Sequence, residues 1–396
     1  MLHQRRVFLV VLPVATLGIV LGVFVRTPNR VRPEQRFRQA MAALETRDHE
    51  TVLRAVKVLR QEPGFETHVN LLLGASLLHT GNPAAALQRL SARRPEGELR
   101  APVLLLVAES FYGLGQLTEA EMIVRQLEQE QPENVDAHRW LASIYYDLGA
   151  LNSAIKELGI VVTLDPQDYK PRHLLGQIYF QLGETKYAEA TKHYRRALAL
   201  GPPPEQRREI NYNLARALVK TRAYEAALEL LKETSANALV LALKSQCHWG
   251  LGEHARAREI LKQAEELDPD ERLVLLLKAR IEIEADNPEA AIPPLTRRLE
   301  HDPHDFECRY RLALSYRSLG QFDRYETEIA RMKESRQLRR QLTDLGQQAV
   351  SRPRDAEIRH RVAEICEKLG RPKLAETYRR AADSCRRAAD IAEPGR

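Results

Sequence analysis

The side chains able to do chemistry are scattered along this chain rather than grouped. The nearest approach to a metal pair is His301-Asp302-Pro303-His304. It lacks the third and fourth ligands that a zinc site needs, and Asp-Pro at that point already serves to end a helix. It reads as a solvated turn. Adjacent carboxylates such as Glu265-Glu266 fall on a helix surface and read as a solvated face. The four cysteines, Cys247, Cys308, Cys366 and Cys385, form no C-x-x-C pair and have no histidine at metal spacing. They read as buried thiols, and spacing leaves a Cys366–Cys385 bridge open. No phosphate-cradling glycine loop, G-x-S-x-G or H-E-x-x-H occurs. With no nucleophile, acid–base pair or cofactor cradle, the expectation is a non-enzyme without metal or cofactor.

What does recur is a unit. The stretch Val135 to Pro166 reads as two short amphipathic helices and a turn. Leu141, Ala142, Ile144, Tyr145 and Leu148 mark the buried face of the first helix, and Ala154, Leu158 and Val161 that of the second. Gly149 separates them and Asp165-Pro166 ends the second. Prolines closing such units stand at 132, 166, 202, 269 and 303, with spacings of 34, 36, 67 and 34. The 67 is two units with the middle proline missing. A small residue recurs in the second helix at Ala86, Ala120, Ala154, Ala190, Ala227, Ala257, Ala291 and Ala375. A hairpin this small cannot bury both faces alone and needs copies above and below. The pattern of Leu-Gly/Ala-x-x-Tyr, then Gly, Ala and Pro at a period near 34 resembles the tetratricopeptide repeat (TPR) family. The resemblance covers roughly residues 34–388. It implies an all-α fold: a TPR-type right-handed α-solenoid of about ten helical hairpins with a concave groove.

TPR relatives bind extended peptides or proteins with side chains from the first helix of each repeat. Carried over residue by residue, the resemblance implies a partner-binding groove of Arg139, Tyr146, His173, Gln177, Tyr212, Arg216, Trp249, Arg280, Tyr310 and Arg317. Those within one helix lie three or four residues apart, hence on one face. Arginine and aromatics are the side chains favoured at interfaces. Truncating Tyr212 and Arg216 is expected to weaken binding without lowering the melting temperature. Chaperone-binding TPR domains clamp a terminal carboxylate with a Lys and an Asn four residues later. No Lys here has Asn at that spacing.

Two further stretches set the context. Residues 7–25, VFLVVLPVATLGIVLGVFV, carry no charge across 19 residues. A helix of that length just spans a hydrocarbon core of about 30 Å. The segment ends Gly22-Val23-Phe24-Val25-Arg26, which does not resemble a small-residue cleavage site, so an uncleaved transmembrane helix is expected. The count of Arg on either side favours cytoplasmic repeats, while the basic start followed by an apolar run is the usual export signal. The reading leans slightly to extracytoplasmic, periplasmic repeats. At the other end, residues 331–396 hold 17 basic and 10 acidic side chains, a net of +7 against +6 for the whole chain. Those arginines alternate with Glu364, Glu367, Glu376 and Asp383, without the stacking aromatics of a nucleic-acid surface, so no nucleic acid is expected.

The expected order is a short basic N-terminus (1–6), a transmembrane anchor (7–25), a linker (26–33), the TPR solenoid (34–335), an irregular helix plus C-terminal capping hairpin (336–388) and a disordered tail (389–396). Arg222 replaces a turn glycine, the turn after Gly183 is two residues longer than its neighbours, and residues 336–352 break the period. Pro293-Pro294 fall inside a second helix and predict a kink or a delayed helix start. The function expected is a membrane-tethered, non-catalytic scaffold for a protein or extended peptide segment. The alternative is an accessory or regulatory subunit of a cell-envelope biogenesis enzyme complex. Mitochondrial import receptors share the anchored plan. Bacterial lipopolysaccharide-assembly regulators share it too, but their carboxy-terminal C-x-x-C knuckle has no counterpart here.

Overall fold

In a computed structural model, residues 32–392 are described, apart from 233, 353 and 354. The expected basic start (1–6), anchor (7–25), most of the linker (26–31) and the last four residues of the tail lie outside them. Among the described residues the chain is all α-helical, with twenty α-helices, two 3-10 turns and no strand. None of these helices is long and apolar enough to cross a membrane. The chain divides into two compact units: one up to Asp147 together with the residues from Asp383, the other Leu148–Ala382.

Unit 1 stacks α1 (Pro33–Glu45), α2 (His49–Leu59), α3 (Glu66–His79), α4 (Pro83–Leu90), α5 (Arg100–Gly113), α6 (Leu117–Glu130) and α7 (Val135–Asp147). Each helix packs on the next in sequence. Asp48 and Asn82 cap α2 and α4 by accepting the amides of Thr51 and Ala85, which satisfies donors that a helix start leaves open. The core runs through Val52, Leu59, Leu72, Ala86, Leu90 and Leu106.

Unit 2 stacks α8 (Leu151–Leu164), α9 (Tyr169–Leu182), α10 (Tyr187–Ala199), α11 (Pro204–Lys220), α12 (Tyr224–Leu231), α13 (Ala238–Gly250), α14 (His254–Leu267), α15 (Arg272–Glu284), α16 (Pro288–His301), α17 (Phe306–Ser318), α18 (Phe322–Ser351), α19 (Ala356–Lys368) and the start of α20 (Pro372–Ala392). The longer turn before α10 holds a 3-10 turn at Glu184–Lys186. All eight recurring alanines of the two units are fully buried. Gly176 shows how little room a first helix has: a Cβ there would meet the Tyr194 ring at 2.5 Å.

Turns between the two helices of a hairpin need one residue with positive φ. Gly252 supplies it at φ 82°, where the amides of Gly252 and Glu253 bond the Trp249 and His248 carbonyls and close the helix end. Arg222 fills the same place at φ 63° and Asp286 at 57°. The prolines at 293 and 294 do not delay α16, which starts at Pro288. The carbonyls they leave without a helical donor belong to Glu289 and Ala290, both exposed, so water can serve them. Residues 336–352 resolve into the second half of α18, a single helix of 30 residues. It is fastened to α17 by the buried pair Arg309–Glu328, with Arg309 Nε also donating to the Pro303 carbonyl at 2.7 Å. All four cysteines are free and buried, including Cys366 and Cys385.

Candidate partner-binding groove

Within unit 2 the first helices α9, α11, α13, α15 and α17 each pack on the next first helix, whereas successive second helices do not pack closely. The first helices therefore lie on the inner, tighter side of the curve. The candidate residues divide between the units. Arg139 and Tyr146 belong to unit 1; His173, Gln177, Tyr212, Arg216, Trp249, Arg280, Tyr310 and Arg317 belong to unit 2. His173 and Trp249 are buried at 4% and 6% exposure, Tyr310 (46%) and Arg317 are exposed, and the other six are half-buried.

Most of the ten are tied to neighbours. Arg139 donates to Asp136 at 2.8 Å. Burial, helped by Asp147, raises the Tyr146 phenol above its ordinary value. His173 Nε2 faces the amide nitrogens of Gln177 (3.2 Å) and Asn213 (3.3 Å). Burial pushes this imidazole down to about 4. It is neutral at physiological pH, with Nε2 as acceptor. Arg216 lies over the Phe180 ring at 4.5 Å and the Tyr212 ring at 5.7 Å. Burial pushes the Tyr212 phenol up to about 12. Tyr212 and Arg216 are thus part of the packing between α9 and α11. Trp249 is buried because its indole Nε1 donates to Glu284 Oε2 at 2.5 Å, with the Arg258 guanidinium 5.3 Å from the centroid of its ring. Arg280 donates to the other Glu284 oxygen at 2.6 Å. Burial opposes the Glu284 charge, but these two donors outweigh it and hold the carboxyl below its usual range.

The sequence reading did not include the ionic network that joins these helices. Glu307 on α17 meets Lys220 from α11 at 3.9 Å, Arg272 from α15 at 3.5 Å and Arg311 at 3.2 Å. Burial opposes its charge; Lys220, Arg311 and Arg272 outweigh that and lower its carboxyl. Beside it, Asp305 accepts from Arg272 at 2.6 and 3.0 Å and from Arg298 at 3.3 Å, and caps α17 through the Cys308 amide. Despite burial, the Arg272 bonds hold Asp305 down to about 2. The signal was available. Lys220 follows Arg216 by four residues and Glu307 precedes Tyr310 by three, which is same-face spacing.

What is most open to a partner is the α17 stripe, although the Arg317 guanidinium also lies 6.0 Å from the centroid of the Tyr325 ring. Tyr310 and Arg317 are exposed, and so is Phe306, four residues before Tyr310. Chemically the surface can hold backbone carbonyls or carboxylates with guanidinium groups, and apolar side chains with aromatic rings. Among the described residues no group of three or more His, Cys, Asp or Glu could hold a metal ion. His304 is occupied otherwise, its Nδ1 lying 2.8 Å from Ser335 Oγ. Glu265 is paired with Lys278 at 2.5 Å.

Comparison with known proteins bears on this geometry. Two family models described as tetratricopeptide repeat match the chain, one over residues 111–178 and the other over residues 173–238 and 243–305. No curated protein sequence matches it. Among solved structures it is similar to a tetratricopeptide repeat protein from Parabacteroides merdae, with 16% identity, 64% of this chain and 99% of that one covered, and a TM-score of 0.48. It is also similar to PilF of Pseudomonas aeruginosa, with 18% identity, 54% and 97% covered, and a TM-score of 0.45. A third is the human IFIT1 dimer solved with m7Gppp-AAAA, with 17% identity, 89% and 90% covered, and a TM-score of 0.43. Through residues 111–238 and 243–305, this chain carries tetratricopeptide repeats.

Proposed function

We propose that the chain is a non-catalytic scaffold that holds a protein or extended peptide segment along the first helices of its repeats, and that residues 7–25 tether it to a membrane with the repeats on the extracytoplasmic side. The observation that carries the reading is the α17 stripe. Tyr310 and Arg317 stand seven residues apart on a first helix and both reach solvent. An aromatic and an arginine are the side chains from which binding hot spots are most often made. The rest of the groove is organised by internal bonds, so binding there trades one set of charge-assisted contacts for another. The uncharged 19-residue run supports the tether, and tethering raises the local concentration of whatever is held.

Two experiments test this. The full chain should resist extraction by high salt and alkaline carbonate, and deletion of residues 1–33 should release it. Release of the intact chain by carbonate rejects the tether. The partner is identified by copurification from source membranes, and Tyr310→Ala with Arg317→Ala should weaken its binding. Binding unchanged by both substitutions rejects the groove. Protease protection of the repeats in sealed cells reports the side on which they lie.

A further inference from the structure

The first helices of unit 2 are charged unlike the other helices of the stack. α9, α11, α13, α15 and α17 hold 13 Lys and Arg against five Glu and no Asp, a net of +8. The second helices α8, α10, α12, α14 and α16 hold nine of each sign. In unit 1 the first helices α1, α3, α5 and α7 hold four basic and six acidic side chains, a net of −2. Repeat packing therefore does not demand the excess. Neighbouring carboxylates do not remove it either. Asp168, Glu271 and Asp305 cap α9, α15 and α17, and Glu265 and Glu328 pair with Lys278 and Arg309. With all five counted, 13 cations still face ten carboxylates. The excess converges on Glu307, the one acidic residue of α17. Lys220, Arg272 and Arg311 meet it at 3.9, 3.5 and 3.2 Å from three different helices. The side chains of Lys220 and Arg311 are 37% and 26% exposed.

We propose that the partner segment held on this face is acidic, and that its carboxylates join Glu307 among Lys220, Arg272 and Arg311. This rests on the groove reading and names the chemistry of the partner. The donors outnumber the acceptors. An ammonium and two guanidinium groups offer about 13 hydrogen-bond donors, and a carboxylate accepts about four. Arg272 spends two of its donors on Asp305, and Arg311 Nε is buried without an acceptor. A second carboxylate therefore adds charge-assisted bonds without displacing Glu307. A nucleic-acid strand would answer the same charge, but binding it along the stack calls for a series of open aromatic faces. The exposed aromatic residues of these first helices are Phe306 and Tyr310, both on α17. Tyr212 and Trp249 have the Arg216 and Arg258 guanidinium groups over their rings. An extended peptide with Asp or Glu along its length fits this mixture of many cations and few open rings.

The test is fluorescence anisotropy on the full chain in uncharged detergent. The probe is a fluorescein-labelled peptide of alternating Glu and Ser, compared with alternating Lys and Ser and with labelled oligothymidylate. The acidic peptide should bind, and added salt should weaken it. Lys220→Gln and Arg311→Gln should each weaken it by about tenfold, as loss of one charge-assisted contact implies. Glu307→Gln removes the chain's own carboxylate and should tighten binding by about tenfold, an effect that general damage to the fold would not produce. Melting curves identify any variant that fails to fold; should Glu307→Gln be one, Lys220→Gln and Arg311→Gln carry the test. An acidic peptide that binds no better than the basic one overturns the inference, and so does binding of oligothymidylate alone. Acidic-peptide binding that ignores Lys220 and Arg311 but is lost on charge reversals within residues 331–387 overturns it as well. If the acidic peptide fails while a copurified partner still needs Tyr310 and Arg317, this inference falls and the groove stands. If the peptide binds through Lys220 and Arg311 while that partner ignores Tyr310 and Arg317, the acidic site stands and the α17 stripe falls.

Discussion

Glu109→Gln should stabilise unit 1 at alkaline pH and leave it unchanged in acid. Glu109 lies half-buried on α5, and burial alone raises its carboxyl from an ordinary 4.5 to about 7. The folded value lies above the unfolded one, so the folded state prefers the protonated form. Stability is therefore fullest below about 4.5, falls as pH rises towards about 7, and is level above that. A tenfold change in proton affinity is worth ~1.4 kcal/mol, so the whole difference would be about 3 kcal/mol. Solvent reaches part of this side chain, and screening lowers the cost to about 1–2 kcal/mol. Glutamine keeps the shape and removes the charge. Urea unfolding at pH 8 should show a midpoint higher by about 0.5–1 M, for a slope near 2 kcal/mol per M, and at pH 4 no change. An unchanged midpoint at pH 8 would refute the argument. An equal gain at both pH values would assign the effect to helix propensity instead.

Three more outcomes follow from the groove. Asp305→Ala removes a buried carboxylate that holds the partly exposed Arg272 and caps α17, and should cost about 1–3 kcal/mol, read as a fall in urea midpoint. Because Asp305 is held down to about 2, its contribution is complete above the ordinary carboxylate value near 4 and should fade as pH falls towards 2. Arg216→Ala should lower stability by about 1 kcal/mol through loss of its contacts with the Phe180 and Tyr212 rings, and a melting curve that does not move would contradict that packing. Gly252→Val should cost about 1–3 kcal/mol, since a β-branched residue has to be held at positive φ.

The parts of this fold that repeat were legible in the sequence because their partners are close in the chain. Ala120, Ala154 and Ala190 recur at one position of the unit, so spacing alone identified them as core positions, and each is fully buried. Arg222 could be assigned to a turn because the position, not the residue type, recurs. The site was legible only as a register. Spacing placed Tyr310 and Arg317 on one face, but it could not show that Trp249 turns inward to Glu284, 35 residues on, or that Lys220 reaches Glu307, 87 residues on. Those pairings depend on the curvature of the stack, which no single repeat encodes. The fate of residues 336–352 was hidden for the same reason, since the surface that α18 meets lies on α8. At Pro293-Pro294 the local rule was sound, but its cost is small where the orphaned carbonyls face water.

The most direct measurement is the affinity of the copurified partner for three forms of the full chain, by titration calorimetry, with melting temperatures measured in parallel. Paired Tyr310→Ala and Arg317→Ala should weaken binding by about thirtyfold or more, the loss of one hot spot, while lowering stability by no more than about 1 kcal/mol, the worth of the exposed contact of Arg317 with the Tyr325 ring. Arg195→Ala, exposed on the second helix α10, should bind as the native chain does. If the paired variant binds normally while charge reversals within residues 331–387 abolish binding, the groove is not the site and the basic C-terminal helices are.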